Sequence, residues 1–161
     1  MTRAFDAHHD FRKAVAKIPK ERWRNKPEPI VVTKARDLFF EEQNRLWNLL
    51  LTPLQLKFQA DPKAAADEVI DFLAVDIPAF RCGYLKEFFL KRLKATELTP
   101  RQKGRLLEIG LNLCRSNTVR REFRRWKGLL RLIADAKFIR KLENENTFAA
   151  RMMLTAIRRD K

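Results

Sequence analysis

The most regularly patterned part of the chain covers residues 118–133 and reads TVRREFRRWKGLLRLI. Its apolar residues recur at spacings of three and four, which is the period of one face of an α-helix. A cationic set follows one residue later at the same spacing. If the apolar stripe is buried, the cationic stripe must face outward. The apolar stripe contains Val119, Phe123, Trp126, Leu130 and Ile133, and the cationic stripe contains Arg120, Arg124, Lys127 and Arg131.

Helix signals extend from this segment in both directions. Thr52-Pro53-Leu54-Gln55 and Thr99-Pro100-Arg101-Gln102 each fit a capping box with proline at the first helical position. Asp61-Pro62 offers a further cap, and Ser116-Asn117-Thr118 interrupts the helix before it. No strand-length alternation competes with this pattern. The predicted helices cover about 34–51, 53–59, 62–75, 78–95, 100–115, 118–133 and 136–159, the last broken near 144–146.

Short connections between these helices are typical of antiparallel helical neighbours. The predicted fold class is therefore all-α, either a bundle or a short right-handed solenoid of antiparallel helical pairs. The beginning of the chain differs, because Pro19, Pro27 and Pro29 alternate with cations and disfavour helix. We predict a basic, extended N-terminal arm over residues 1–32, which can begin with a short helix over roughly 4–17, and a single all-α domain over residues 33–161.

Charge is distributed unevenly along the 161 residues, which carry 35 Lys and Arg against 20 Asp and Glu. Residues 101–141 hold thirteen cations against three acids, whereas residues 37–80 hold three against eight. A hydrophobic fraction of 45% argues against wholesale disorder despite this charge. We interpret the acidic block, which includes Asp67 and Asp71, as an intramolecular counterweight to the basic part. No nucleophile motif or Gly-rich loop completes a catalytic site around it.

Several protein classes are disfavoured by what the sequence lacks. Cys82 and Cys114 lie apart without a Cys-x-x-Cys motif, so we predict two buried thiols rather than a disulfide or a zinc site. No stretch approaches the roughly 18 consecutive apolar residues of a membrane span, and the N-terminus lacks the apolar core of a signal peptide. We therefore expect a cytoplasmic protein without membrane contact, metal, cofactor or catalytic residues.

Aromatic side chains at helical spacing are predicted to belong to the core. Phe80, Tyr84, Phe88 and Phe89 crowd one face of the helix predicted over 78–95. Trp126 belongs to the apolar stripe of its own helix. We therefore expect no ring to stand exposed among the cations, as base stacking would require.

The clustered cations favour an anionic partner. Positive charge repeated along a helix is an electrostatic footprint of nucleic-acid binding, and side chains that are almost only Lys and Arg favour phosphate contact over base readout. Arg101 and Arg120 lie in predicted first turns, where the helix dipole disfavours cations. We expect non-enzymatic binding of DNA or RNA to a basic face centred on 101–141. The predicted contact residues are Arg101, Lys103, Arg105, Arg115, Arg120, Arg121, Arg124, Arg125, Lys127, Arg131 and Arg140.

A basic face also suits an acidic protein. In that alternative the chain is a helical scaffold for protein–protein interaction, docked through charge complementarity. The sequence does not separate DNA from RNA, and it leaves sequence preference and oligomeric state open.

The predicted helical pairs resemble HEAT-type α-solenoids. Asn117-Thr118-Val119-Arg120 is similar to the Val-Arg start of the second helix in a HEAT repeat, and the predicted helix starts near Pro78 and Thr118 differ by 40 residues. The resemblance covers about 62–143 and implies stacked helical pairs. Because some HEAT-type proteins are DNA-repair glycosylases, it also raises a DNA-modifying enzyme as a third alternative. The Ser116–Thr118 turn is alternatively similar to that of a helix-turn-helix, with 118–133 as the recognition helix.

Overall fold

The chain folds predominantly into α-helices, as its sequence predicts. A computed structural model shows helices and no strand in the residues that it describes. The all-α fold class is therefore confirmed. The described residues are 9–10, 12–13, 30–75 and 82–158.

The described residues fall into two compact units, one ending at Pro53 and the other beginning at Leu54. Most of the predicted N-terminal arm lies outside the described residues, as does Pro78 with the predicted start of its helix. The arm over 1–32 and its boundary with a domain over 33–161 therefore stay predictions. The parts of the arm that the structure describes, 9–10, 12–13 and 30–32, are helical.

The described part of the first unit contains a long helix, α1, which spans Ile30–Leu46 and continues as a π-helical turn over Trp47–Leu51. The N–H of Thr52 bonds to the carbonyl of Trp47. This wider turn comes directly before Pro53, whose ring and missing N–H conflict with ordinary α-helical bonding. Thr52 itself has helical angles, φ −66° and ψ −47°, so the capping box predicted there is wrong.

Short helices follow one another through the rest of the chain. The one predicted from residue 62 begins at Ala66, after a turn in which the carboxylate of Asp61 accepts bonds from the N–H groups of Lys63 and Ala64, as expected of the cap predicted there. The helices after α1 are α2 (Thr52–Ala60), α3 (Ala66–Ala74), α4 (Cys82–Leu93), α5 (Pro100–Arg115), α6 (Phe123–Ile133), α7 (Ala136–Glu143) and α8 (Phe148–Arg158).

The helices from α3 onward pack in two rows. In the first row α3 contacts α5 and α5 contacts α7; in the second row α4 contacts α6 and α6 contacts α8. Contacts between α3 and α4, α5 and α6, and α7 and α8 join the rows, so consecutive helices form pairs that stack on their neighbours. Each helix contributes side chains to the core, among them Ile70, Phe89, Leu106, Trp126, Leu142 and Met153.

The helix predicted over 118–133 begins at Phe123 instead. Asn117 adopts a left-handed φ of 52°, and its N–H bonds to the carbonyl of Cys114 at 3.1 Å. The N–H of Thr118 bonds to the carbonyl of Leu113, also at 3.1 Å. This pair of bonds is a Schellman motif, which ends α5 and turns the chain away from helical geometry.

Four sequence-based predictions are wrong because of this turn. Val119 does not belong to the buried stripe and is 45% exposed, whereas Phe123, Trp126 and Leu130 are buried as predicted. Arg120 lies before α6 rather than in its first turn. The HEAT-like helix start at Thr118, and a recognition helix over 118–133, therefore do not form.

Asn117 also joins two helix ends. Its Oδ1 accepts a bond from the N–H of Ala149 at 3.0 Å, near the start of α8. Thr147 caps the same helix by accepting from the N–H of Ala150, and its hydroxyl donates to the carbonyl of Cys114 at 2.7 Å. The end of α5 and the beginning of α8 are thereby held together.

Both cysteines are buried thiols, as predicted, and neither forms a disulfide. Burial is the main reason that the pKa of the Cys114 thiol is raised to about 11, and the nearby carboxylate of Glu145 adds to it. Among the described helices, none has both the length and the apolar character that a bilayer span requires.

Candidate functional site

One cation of the first row, Arg105, is neutralised inside the molecule. Arg105 of α5 pairs with Asp71 of α3, and its second terminal nitrogen lies 3.3 Å from an oxygen of Asp67. Gln102 of α5 donates to the other oxygen of Asp67 at 3.2 Å. The interpretation of these two acids as an intramolecular counterweight is confirmed.

Two more of the predicted contact residues have acidic partners. Arg115, at the end of α5, donates to Glu145 at 2.7 Å. Arg121 donates to Glu87 of α4 at 3.1 Å, and this bond is the main reason that the pKa of Arg121 is raised. Together with Arg105, these residues offer much less uncompensated charge to an external anion than their sequence positions predict.

The second row carries a different surface, an open cleft of about 590 Å³ along the C-terminal half of α4 and the exposed face of α6. We call it the basic cleft. Its floor includes the small residues Gly128 of α6 and Ala156 of α8. The cations that line it are Lys91, Lys94, Arg124, Arg125, Lys127 and Arg131.

The basic cleft forms because α4 and α6 run side by side in the same direction. Glu87, in the first half of α4, meets Arg121 just before α6, while Lys94, at the end of α4, lies over Gly128 in the middle of α6. A Cβ atom placed on Gly128 would be 3.6 Å from the Lys94 ammonium. The ends of the lysine side chains from α4 are thus brought beside the arginines of α6.

The described residues that line the basic cleft include no acid. Arg124, Arg125 and Lys127 form no ion pair with any part of the chain that the structure describes. Arg124 and Arg125 are exposed and sit in the first turn of α6, at the positive end of the helix dipole. The dipole disfavours cations there by about 0.3–1 kcal/mol each at low ionic strength. Among the described residues this arrangement is electrostatically unfavourable, and an outside anion would relieve it.

Two other clefts in the same unit mix both signs of charge. One, of about 470 Å³, is lined by the buried side chains of Lys86, Glu122 and Trp126. The other, of about 360 Å³, has Arg115 and two lysines opposite Glu108 and an aspartate. Because each contains carboxylates, neither has the one-sided charge of the basic cleft.

The remaining predicted contact residues lie outside the basic cleft. Arg101 and Lys103 are exposed in the first turn of α5, and Arg140 is exposed on α7, in the first row. Arg120 is exposed before α6. The structure therefore brings together Arg124, Arg125, Lys127 and Arg131 of the predicted set and leaves the others apart.

Lys91 and Lys94 belong to the basic cleft but were not among the predicted contact residues. At the end of α4 they also complement the dipole of their own helix, which is an ordinary structural role for lysine. In the sequence, the only sign of a second role is that these lysines end the helix that comes two before the cationic one. The contact between α4 and α6 then places them beside the arginines of α6.

An exposed aromatic ring on α4 contradicts the prediction that all its rings are buried. Tyr84 is 57% exposed, and the guanidinium carbon of Arg121 lies 3.9 Å from the centre of its ring. Phe89, in contrast, is fully buried and makes edge contacts with Phe58 and Phe72.

Within the described residues, no group of three or more His, Cys, Asp and Glu side chains is arranged to hold a metal ion. Comparisons of the chain with known protein families, curated proteins and solved structures found no match.

Proposed function

We propose that this chain is a non-enzymatic nucleic-acid-binding protein that contacts phosphates through the basic cleft. The observation that carries the proposal is the clustering of cations from α4 and α6 around a cleft whose described lining contains no acid. Elsewhere in the same unit, cations such as Arg105 and Arg115 have carboxylate partners from the chain itself. An external polyanion would therefore gain more binding free energy in the basic cleft than at these paired cations.

Phosphate groups suit this cleft better than base edges do. Its polar lining consists of Lys and Arg, which bind phosphate through charge and, for Arg, through paired N–H donors. Base-specific contact typically adds Asn, Gln or acidic side chains, and the described lining has none. We therefore expect binding with little sequence preference and a strong dependence on salt.

The stacking of helical pairs supports a HEAT-like architecture as part of the same proposal. In such an array, helices of one row present their ends and faces along a continuous surface. The second row, α4, α6 and α8, contributes the residues that line the basic cleft, together with Lys94 directly after α4. A cytoplasmic location remains an expectation from the sequence.

The proposal is tested by binding of a fluorescent oligonucleotide, measured by anisotropy across a salt series. The cleft variant R124Q/R125Q/K127Q is compared with the control variant R101Q/K103Q/R140Q, which removes the same charges outside the basic cleft. We expect the cleft variant to bind about tenfold more weakly or worse. The slope of log K against log[salt] should fall by roughly 2 to 3, since each duplex phosphate contact contributes about 0.9.

Equal losses in both triple variants would mean that affinity follows net charge and would contradict a localised site. Binding of wild type that is absent, or insensitive to salt, would contradict the function itself. Circular dichroism of both variants should show unchanged helicity, because none of the six side chains is buried.

A further inference from the structure

The basic cleft has an aromatic neighbour on the same pair of helices. Tyr84 and Lys91 are seven residues apart on α4, so they lie on one face about 10 Å apart along the axis. Arg121, stacked on Tyr84, comes just before α6, whose later residues line the basic cleft. The stacked pair of Tyr84 and Arg121 therefore stands at the other end of the α4–α6 surface from Lys94.

The stacked pair is held in place while remaining accessible. Arg121 donates to Glu87, a carboxylate whose side chain is only 21% exposed, while its guanidinium lies over the ring. The side chain of Arg121 is 56% exposed and Tyr84 is 57% exposed. An isolated core tyrosine would have neither this exposure nor a cation against its face.

Charged grooves flanked by accessible aromatic rings are typical of single-strand binding. Bases of a single strand can leave the stack and pack on aromatic or guanidinium planes, whereas duplex bases are occupied by their neighbours. Stacking of this kind tolerates any base, which fits a cleft without base-reading side chains. The ring of Tyr84 is exposed rather than part of the core, so packing does not explain its position.

We infer that the ligand is single-stranded nucleic acid, with its phosphates in the basic cleft and one base stacked on the Tyr84–Arg121 pair. This inference rests on the proposed function of the basic cleft and adds the class of nucleic acid. It assigns to Tyr84 a role in binding that the cleft cations do not have, namely discrimination between strands with and without accessible bases.

The test compares three probes of equal length: oligothymidine, an abasic strand with the same phosphates, and a duplex. Wild type should bind oligothymidine more tightly than the abasic strand, by about fivefold or more for one stacked base. Tyr84→Ala should remove this difference without changing affinity for the abasic strand, and Tyr84→Phe should retain it. Because Tyr84 is exposed, none of these variants is expected to disturb folding.

A spectroscopic readout follows from composition, since Tyr84 is the single tyrosine of the chain. Protein labelled with 3-fluorotyrosine gives one ¹⁹F resonance, which should shift with oligothymidine and stay in place with the abasic strand. Equal affinity for oligothymidine and the abasic strand, or for single strand and duplex, would overturn the inference and leave the proposed function standing. If none of the probes binds, both the inference and the proposed function fail.

Discussion

Gly110 of α5 lies against the side chain of Leu130 of α6. A Cβ atom at this position would lie 2.4 Å from Cδ1 of Leu130 and 3.2 Å from its Cδ2, and Leu130 is fully buried. A methyl group therefore requires Leu130 to move within a filled core. Gly104, on the same helix, would meet nothing within 4 Å.

We expect Gly110→Ala to be less stable than Gly104→Ala by about 1–3 kcal/mol, the usual cost of overpacking. The comparison cancels the helix propensity that alanine gains over glycine in both variants, about 1 kcal/mol. Urea denaturation followed by circular dichroism measures the difference. Equal stability of the two variants would show that Leu130 has room to move.

The raised pKa of the Cys114 thiol predicts a loss of stability at alkaline pH. Burial raises its pKa to about 11 from the ordinary value of 9.0, so between these values the unfolded chain releases the thiol proton and the folded chain keeps it. A group whose pKa is raised on folding stabilises the fold fully below its unfolded pKa, and this stabilisation is lost as pH rises toward 11.

From pH 8.5 to 10.5, wild type should therefore lose roughly 1–2 kcal/mol more unfolding free energy than Cys114→Ala. The alanine variant starts from lower stability, since it leaves a small cavity, but its pH profile should be flatter. Parallel profiles would show that the Cys114 thiol has the same pKa in the folded and unfolded chains. Lysine and tyrosine titrations are common to both proteins and cancel in the comparison.

At the scale of helices, two copies of one motif have opposite outcomes. Thr99 caps α5: its hydroxyl accepts from the N–H of Gln102 at 3.2 Å, and Gln102 accepts from the N–H of Thr99 at 3.0 Å. Thr52, in the same Thr-Pro-x-Gln context, has helical angles and leaves no helix end to cap.

Thr99→Ala should consequently lower the free energy of unfolding by about 1 kcal/mol, whereas Thr52→Ala should change it by less than about 0.5 kcal/mol. Thermal unfolding of the two variants, each with a single Thr→Ala substitution, provides the comparison. A similar loss in both would indicate that Thr52 supports the fold in another way.

The two Thr-Pro-x-Gln motifs show how far the sequence determines where helices begin. A capping box can act only where the chain enters the helix from a non-helical conformation, and that depends on the residues before the motif. Leu49-Leu50-Leu51 continues as a π-helical turn into Thr52, whereas Thr99 follows a non-helical stretch. Helix identity was predictable from apolar spacing, but this boundary depended on backbone geometry over a longer segment.

The candidate site was likewise predictable only in part. Periodicity predicted that Arg124, Lys127 and Arg131 share the outer face of one helix, and all three line the basic cleft. Periodicity does not predict that Arg105 meets Asp71, because the two are 34 residues apart and meet only when α3 and α5 pack together. The exposure of Tyr84 likewise depends on its neighbours in space.

At the scale of the whole molecule, the helices from α3 to α8 carry more positive charge in the second row than in the first. In the first row, Arg105 joins α5 to two acids of α3, so this cation contributes to packing between helices. In the second row, Arg124 and Arg125 oppose the dipole of α6 and have other cations as neighbours. Proteins commonly retain such locally unfavourable groups where function requires them.

Removing cations from the two rows should therefore change stability in opposite directions. At low ionic strength, R124Q/R125Q should raise the free energy of unfolding by about 0.5–1.5 kcal/mol, because it relieves repulsion and the unfavourable dipole interaction. Arg105→Gln should lower it by about 0.5–1 kcal/mol, because it removes the cation that pairs with Asp67 and Asp71. Urea titrations at low and high salt measure both effects, and salt should shrink each toward zero. If R124Q/R125Q were destabilising at low salt, these arginines would have an intramolecular role, and the argument that their unfavourable placement serves an external anion would be wrong.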